Sequence, residues 1–512
     1  GDPRVKHPHR IVMATALAAA LTGSLTGALV GTAAAAPARP KPRIDFNGDG
    51  YTDFAAGTPA GWAGGKWRVG DVTAFYGSAQ GVTAARTTTL TQDSPNVPGS
   101  AENGDLFGAA TAPGDFDGDG YTDLAVGAPL EDVGSDTNGG SLTILWGSPK
   151  GLTGGSTVAD PAPSAHDRFG AALAAGDFDG DGRTDLAVGT NGSTLYVLRK
   201  GISRGGRAGA LATRPLPLRS APEAGIINLT AGDVNGDRRA DLMVDGYSPT
   251  LWTDGKYHNV NYYVPGTSTG PSRTVAKKMP GGGAGAIGDI DGDGYGDIVT
   301  GIWWGRSKTG GPIGGTVQVT YGAAAGPSSR TQTISEESGN VPGDSENWDK
   351  FGSSVALGDV NGDGRLDLAI GARQENLTLW GTVNYGVGTV TALTGSRGGV
   401  DTSTAPQYFY PGNHGVPGRS VWAEFGSAAL LTDLDGDGGA DLVAGALGQD
   451  NGDGTITVLP SQTAPDGTKR IGTAGVTEIK ARDLQMDTTG VPRLGGVLDG
   501  SLQVSVINSH TW

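Results

Sequence analysis

No cysteine occurs anywhere in the chain. Disulfide bonds, thiol catalysis, thiolate metal sites and a lipidated N-terminal cysteine are thereby excluded. Histidine is almost as scarce. The four that follow the N-terminal leader, His166, His258, His414 and His510, stand at no metal-ligand spacing, and each reads as a surface or turn residue. Charged residues make up only 18% and aromatic residues 6%, and positive charge is in the minority, with 37 Lys and Arg against 53 Asp and Glu. No basic, aromatic-interleaved surface is visible, and a formal charge of −16 would repel nucleic acid. What the chain has in abundance is glycine, 91 residues, beside 29 prolines. That balance suits many short strands joined by tight turns.

One acidic phrase is written seven times, once every 56 to 74 residues, at 45–53, 115–123, 177–185, 233–241, 289–297, 359–367 and 433–441. Its forms include DFNGDGYTD, DFDGDGYTD and DVNGDGRLD. Oxygen donors stand at positions 1, 3, 5 and 9. They are Asp45, Asn47, Asp49 and Asp53; Asp115, Asp117, Asp119 and Asp123; and Asp177, Asp179, Asp181 and Asp185. The fourth and fifth sets are Asp233, Asn235, Asp237 and Asp241, and Asp289, Asp291, Asp293 and Asp297. The last two are Asp359, Asn361, Asp363 and Asp367, and Asp433, Asp435, Asp437 and Asp441. A backbone carbonyl at position 7 (Tyr51, Tyr121, Arg183, Tyr295, Arg365, Gly439) is available to complete a cage for a hard cation that takes six to eight oxygens. The pattern predicts up to seven structural Ca²⁺ ions, which would offset most of the formal charge. It is not an EF-hand, because position 12 holds Ala56, Val126, Val188, Val244, Thr300, Ile370 or Ala444 instead of a bidentate Glu. Position 6 is Gly in six copies and Arg238 in the fourth, so the fourth site is expected to bind weakly or not at all.

The calcium loops alternate with short apolar runs such as DLAVGA (Asp123–Ala128) and DLAIGA (Asp367–Ala372), which read as buried strands. Three strands per unit are visible, and a fourth is expected in stretches such as Thr87–Gly99 and Thr331–Gly343. Four strands in each of seven units predict an all-β, seven-bladed propeller. The N-terminus carries Arg4, Lys6 and Arg10, then an uncharged stretch from Ile11 to Thr32 and the small-residue run Ala33–Ala36. Residues 1–36 thus read as a secretion signal, with a membrane anchor as the rival reading, 37–44 as a short linker and 45–512 as one propeller.

The pairs Phe107–Gly108, Phe169–Gly170, Phe351–Gly352 and Phe425–Gly426, with Gly57–Pro59 and Gly127–Pro129 downstream, resemble the FG-GAP repeat of the integrin alpha propeller and its bacterial relatives. Units four and five depart from the pattern: 224–233 and 282–290 lack the FG, so blade geometry there is open. The first unit lacks an FG too. The match of Val491–Pro492 to Val97–Pro98, and of Leu494–Gly495 to Phe107–Gly108, predicts that the C-terminal segment supplies the innermost strand of blade one and closes the ring.

These observations predict a secreted, monomeric, non-catalytic binding or adhesion module for an extracellular protein or glycan, not inserted in a membrane once its signal is removed. The resemblance implies that ligands meet the loops on the face away from the calcium hairpins. An extracellular hydrolase or lyase with a site at the propeller centre, and a lectin-like module, are the alternatives. The esterase-like phrase GTSTG at Gly266–Gly270 falls where other units read GSAQG, GSPKG and GAAAG, and so reads as a turn. Aromatic residues gather at Trp62, Trp67, Trp252, Tyr257, Tyr262, Tyr263, Trp303 and Trp304, either as blade packing or as a ligand platform.

Overall fold

The computed structural model describes residues 44–499 apart from 254, 305–312, 380, 419 and 420. The segment read as a secretion signal lies outside them. Because apolar runs of five or six residues are bounded by Gly and Asp, the chain makes short antiparallel strands, and these assemble into seven four-stranded sheets. Blade two shows the plan: Ala110–Gly114, the acidic phrase, Asp123–Ala128, Ser141–Trp146 and Thr153–Val158 pair in sequence order. Blades three to seven repeat it, with inner strands Ala172–Gly176, Ile226–Gly232, Ala284–Gly288, Phe351–Gly358 and Phe425–Thr432. The second strand of every blade is almost wholly buried, as its continuous apolar reading requires.

Blade one is assembled from both ends of the propeller. Phe54–Thr58, Asp71–Phe75 and Thr87–Leu90 are joined by Val497–Leu498, which pairs Ala56 with Leu498 and Gly57 with Val497. Leu494, fully buried, forms a parallel bridge to Gly454, as Phe107 does to Gly70, Phe351 to Gly315 and Phe425 to Gly388. The expected closure by the C-terminal segment is therefore present, with Leu494 in the place of the FG phenylalanine.

The core is divided among the junctions. Among the described residues, each pair of neighbouring blades shares one apolar cluster, such as Phe107, Leu124, Leu145 and Val72 between blades one and two. Phe54, Phe75, Leu494 and Leu498 belong to the cluster at the closure. A fully buried Phe or Leu contributes roughly 1.5–3 kcal/mol, so the ring is held by repeated local interfaces.

The FG and GAP glycines have one physical cause. The carbonyl of Gly108 abuts Gly57, that of Gly170 abuts Gly127, and the same pairing joins Gly352 to Gly301, Gly426 to Gly371 and Gly495 to Gly445. A Cβ on the GAP glycine would fall inside van der Waals contact with the next blade's backbone. Units four and five solve the junction differently. Ile226 stands where the FG glycine would be and lays its side chain against Gly189, while the Asn261 amide donates to the carbonyl of Gly282 at 3.2 Å. Both blades keep four strands.

Candidate metal centres

In an antiparallel blade the first and third connections lie at one end and the second connection at the other. The acidic phrase is the first connection in blades two to seven, and in blade one it precedes Phe54–Thr58. All seven hairpins therefore share one face of the propeller. The residue at position 2 of each, Phe46, Phe116, Phe178, Val234, Ile290, Val360 or Leu434, is buried and pins the loop to the core.

The loop geometry repeats closely. In the second hairpin, Asp115 Oδ1 accepts from the N–H of Gly118 at 2.8 Å and of Asp119 at 3.1 Å, and Oδ2 accepts from Gly120 at 3.0 Å. Asp117 and Asp119 each accept an N–H two residues on, at 3.1 and 3.0 Å. The position-9 carboxylate ties the hairpin to its blade: Asp123 Oδ2 accepts from Phe116 at 3.0 Å and Oδ1 from Gly147 at 2.8 Å. Gly147 opens the turn after the third strand, and Gly77, Lys200, Gly266, Gly322, Gly395 and Ser461 give the same bond in the other blades. This accounts for GTSTG at Gly266–Gly270: it is that turn, closed by reciprocal Thr267 and Gly270 backbone bonds, with Ser268 exposed.

Carboxylate oxygens from positions 1, 3 and 9 lie within 4.8 Å of one another in Asp115, Asp117 and Asp123, in Asp177, Asp179 and Asp185, in Asp289, Asp291 and Asp297, and in Asp433, Asp435 and Asp441. These groups can hold a metal ion, and an all-oxygen donor set suits a hard divalent cation. The electrostatics agree. Burial, reinforced by neighbouring carboxylates, pushes the position-9 group up to about 7 in Asp53, Asp123, Asp185, Asp297 and Asp441, and to about 6 in Asp241 and Asp367, against the lowering effect of the backbone bonds. A cation would relieve that cost.

One feature escaped the sequence reading. Each hairpin is met by a basic side chain: Arg86 reaches Asp49 at 2.9 Å, Arg204 reaches Asp117 and Asp119 at 2.6 and 2.7 Å, and Arg199 reaches Asp179. Arg239 pairs with Asp237 at 3.0 Å, Arg330 with Asp291, Arg365 with Asp363 at 2.7 Å and Lys469 with Asp437 at 2.8 Å. Arg86, Arg330 and Lys469 lie between the third and fourth strands of their blades, too far along the chain for a local pattern to reveal.

The fourth hairpin differs from the others in its backbone and in its contacts. Arg238 sits at φ +68°, in the left-handed region that its glycine counterparts occupy at +84° to +93°, and still donates its N–H to Asp233 Oδ2 at 2.7 Å. In addition the buried Tyr263 hydroxyl donates to Asp241 Oδ2 at 3.0 Å. No other blade has an aromatic residue at that register: Ala74, Ile144, Val197, Val319, Ala392 and Val458 stand there. Outside the hairpins, burial pushes Asp71 up to about 7, Glu336 to about 8 and Glu375 to about 10, and each is less than one-tenth exposed. His166 is also buried, against Phe169 and Tyr196, rather than at the surface.

The comparisons with known proteins fall on the same units. The FG-GAP repeat model matches residues 107–145, 169–211 and 351–393. Phosphatidylinositol-glycan-specific phospholipase D of Rattus norvegicus is 33% identical over 205 residues, covering 40% of this chain and 23% of that protein. Integrin alpha pat-2 of Caenorhabditis briggsae is 28% identical over 298 residues, covering 57% of this chain and 20% of that protein. The chain thus spans about a quarter or less of the length of these relatives. Among solved structures, the Dos1 propeller aligns with a TM-score of 0.38 at 9% identity, covering 80% of this chain and 88% of that one. The fold is established by strand pairing within this chain instead. Every span matched by the family model begins on an FG phenylalanine whose glycine meets the preceding blade, so these three units are FG-GAP repeats set in an integrin-alpha-like β-propeller ring.

Proposed function

We propose that the protein is a secreted, calcium-stapled propeller that binds an extracellular protein or glycan without transforming it. Calcium is the ion because the donors are carboxylate and carbonyl oxygens and extracellular calcium is millimolar, matching sites of roughly 10⁻⁴–10⁻³ M. The fourth hairpin, with Arg238 and Tyr263, is the weakest of the seven. No helix among the described residues is long and apolar enough to cross a membrane.

The observation that carries the binding role is the placement of exposed aromatic side chains. Trp67, Trp252, Tyr257, Trp348, Tyr385 and Trp422 are the exposed Trp and Tyr residues among those described, at 37% to 78% exposure. All six lie in connections at the end of the blades opposite the acidic hairpins: between second and third strands, or between one blade's last strand and the next blade's first. Exposed aromatics gathered on one face mark a recognition surface. Trp422 stacks on Tyr385 at 6.4 Å and Trp252 on His258 at 4.1 Å, so the platforms are preformed. Trp252, His258, Lys278 and Trp304 line a pocket of about 350 Å³ between blades four and five. Neither the integrin alpha nor the phospholipase D relatives match over enough of their length to bring an activity here, so the binding reading rests on the exposed face.

The test is binding of the calcium-loaded protein to a glycan array and to immobilised extracellular-matrix proteins. Wild type should bind at least one class. Trp348→Ala combined with Trp422→Ala should lose that binding at an unchanged melting temperature, and equal binding by the variant would contradict the assignment of the face.

A further inference from the structure

Away from every acidic hairpin, three carboxylates converge where blade five meets blade six. Glu336 follows the outer strand Thr331–Ile334 of blade five, Asp349 precedes the inner strand Phe351–Gly358 of blade six, and Glu375 follows Asp367–Ala372. Their oxygens lie within 4.8 Å of one another, and the residues are 4%, 0% and 4% exposed. One oxygen of each, Glu336 Oε2, Asp349 Oδ1 and Glu375 Oε2, is enclosed without a hydrogen-bond partner. Tyr408, on the outer strand of blade six, has Glu375 and Glu336 as electrostatic neighbours. The nearby basic residues are engaged elsewhere: Arg373 faces Glu424 at 3.9 Å, and Lys350 is drawn to Glu424 and lies over the Trp303 ring at 5.4 Å. Buried carboxylates are retained when something positive is shared among them.

The protein contains its own control. Gln92, Asp105 and Glu131 hold the corresponding positions between blades one and two. There the Gln92 amide donates to Glu131 Oε2 at 2.7 Å, closing the pair with an uncharged donor. The third member is held alike in both places: Asp105 accepts from the Glu102 N–H and Asp349 from the Glu346 N–H, each at 2.5 Å. Glu336 in place of Gln removes the donor and adds an acceptor.

We infer that Glu336, Asp349 and Glu375 form a cation site distinct from the hairpins, holding one hard divalent ion of the calcium class between blades five and six. An oxygen-only donor set without His or Cys selects such an ion. Its enclosure makes it a structural lock, fastening the turn after blade five to two strands of blade six.

Native mass spectrometry of the full chain, equilibrated with calcium alone, counts the ions retained. Glu336→Gln restores the arrangement of Gln92 and so keeps the fold; it should retain one ion fewer than wild type. Crystals of wild type soaked in Mn²⁺ should show an anomalous peak among the three carboxylates, absent from the variant. Equal ion counts together with no peak would overturn the site and assign the cluster to carboxyl groups sharing protons. If Glu336→Gln does not fold, the anomalous map of the wild type decides alone.

Discussion

Cutting the chain after residue 489 removes the strand that closes the ring. The loss comprises the buried side chains of Leu494, Val497 and Leu498 and the pairing to Ala56 and Gly57. At roughly 1.5–3 kcal/mol for each side chain, the apolar part alone is about 5–9 kcal/mol, against a net stability of about 5–15 kcal/mol for a typical domain. The backbone edge of Phe54–Thr58 also opens, exposing unpaired N–H and C=O groups to other molecules. Leu494→Ala is the graded version, and loss of one fully buried Leu should cost about 2–5 kcal/mol. Size-exclusion chromatography with light scattering and a thermal melt, both in calcium, read the result. The truncated chain should aggregate or melt far below the full chain, with Leu494→Ala between them. A truncated chain that stays monomeric with an unchanged melting curve would refute the closure argument.

Gly127→Ala should destabilise by about 3 kcal/mol, because both the new Cβ and the Gly170 carbonyl it meets belong to backbone that cannot rotate away, and a lowered chemical-denaturation midpoint would show it. Arg238→Gly should stabilise the chain by about 1 kcal/mol, by relieving a left-handed non-glycine residue, and should raise calcium affinity at the fourth hairpin in a calorimetric titration. In EDTA, the position-9 carboxyls titrate near 6 to 7 in the folded chain against 3.8 for the group in isolation. The folded state therefore holds more protons, and stability falls as pH rises from about 4 to about 7. The melting temperature in EDTA should be higher at pH 5.5 than at pH 8, and excess calcium should reverse the order.

Much of this was legible because it is local. Oxygen donors spaced at 1, 3, 5 and 9 define a hairpin by themselves, and five-residue apolar runs between glycines define the strands. Even closure was readable, since Val491–Pro492 and Leu494–Gly495 repeat a phrase found earlier in the chain. What escaped was made by separation. Arg204 reaches Asp117 across 87 residues, and Tyr263 finds Asp241 only because a strand register brings them together. The cluster of Glu336, Asp349 and Glu375 differs from its counterpart by one Gln-to-Glu exchange spread over two blades, and no local pattern records it. The missing FG in units four and five left blade geometry open because the junction has more than one packing solution, as Ile226 against Gly189 shows.

The most direct test of the central claim is a thermal melt of the chain from residue 37 onward in excess EDTA and in millimolar CaCl₂, paired with a calorimetric calcium titration. Calcium-stapled hairpins should give a rise of many degrees in calcium with six or more ions bound per chain. No shift and no binding would mean that the acidic hairpins are metal-free turns held by their basic side chains, and cations would not staple the blades.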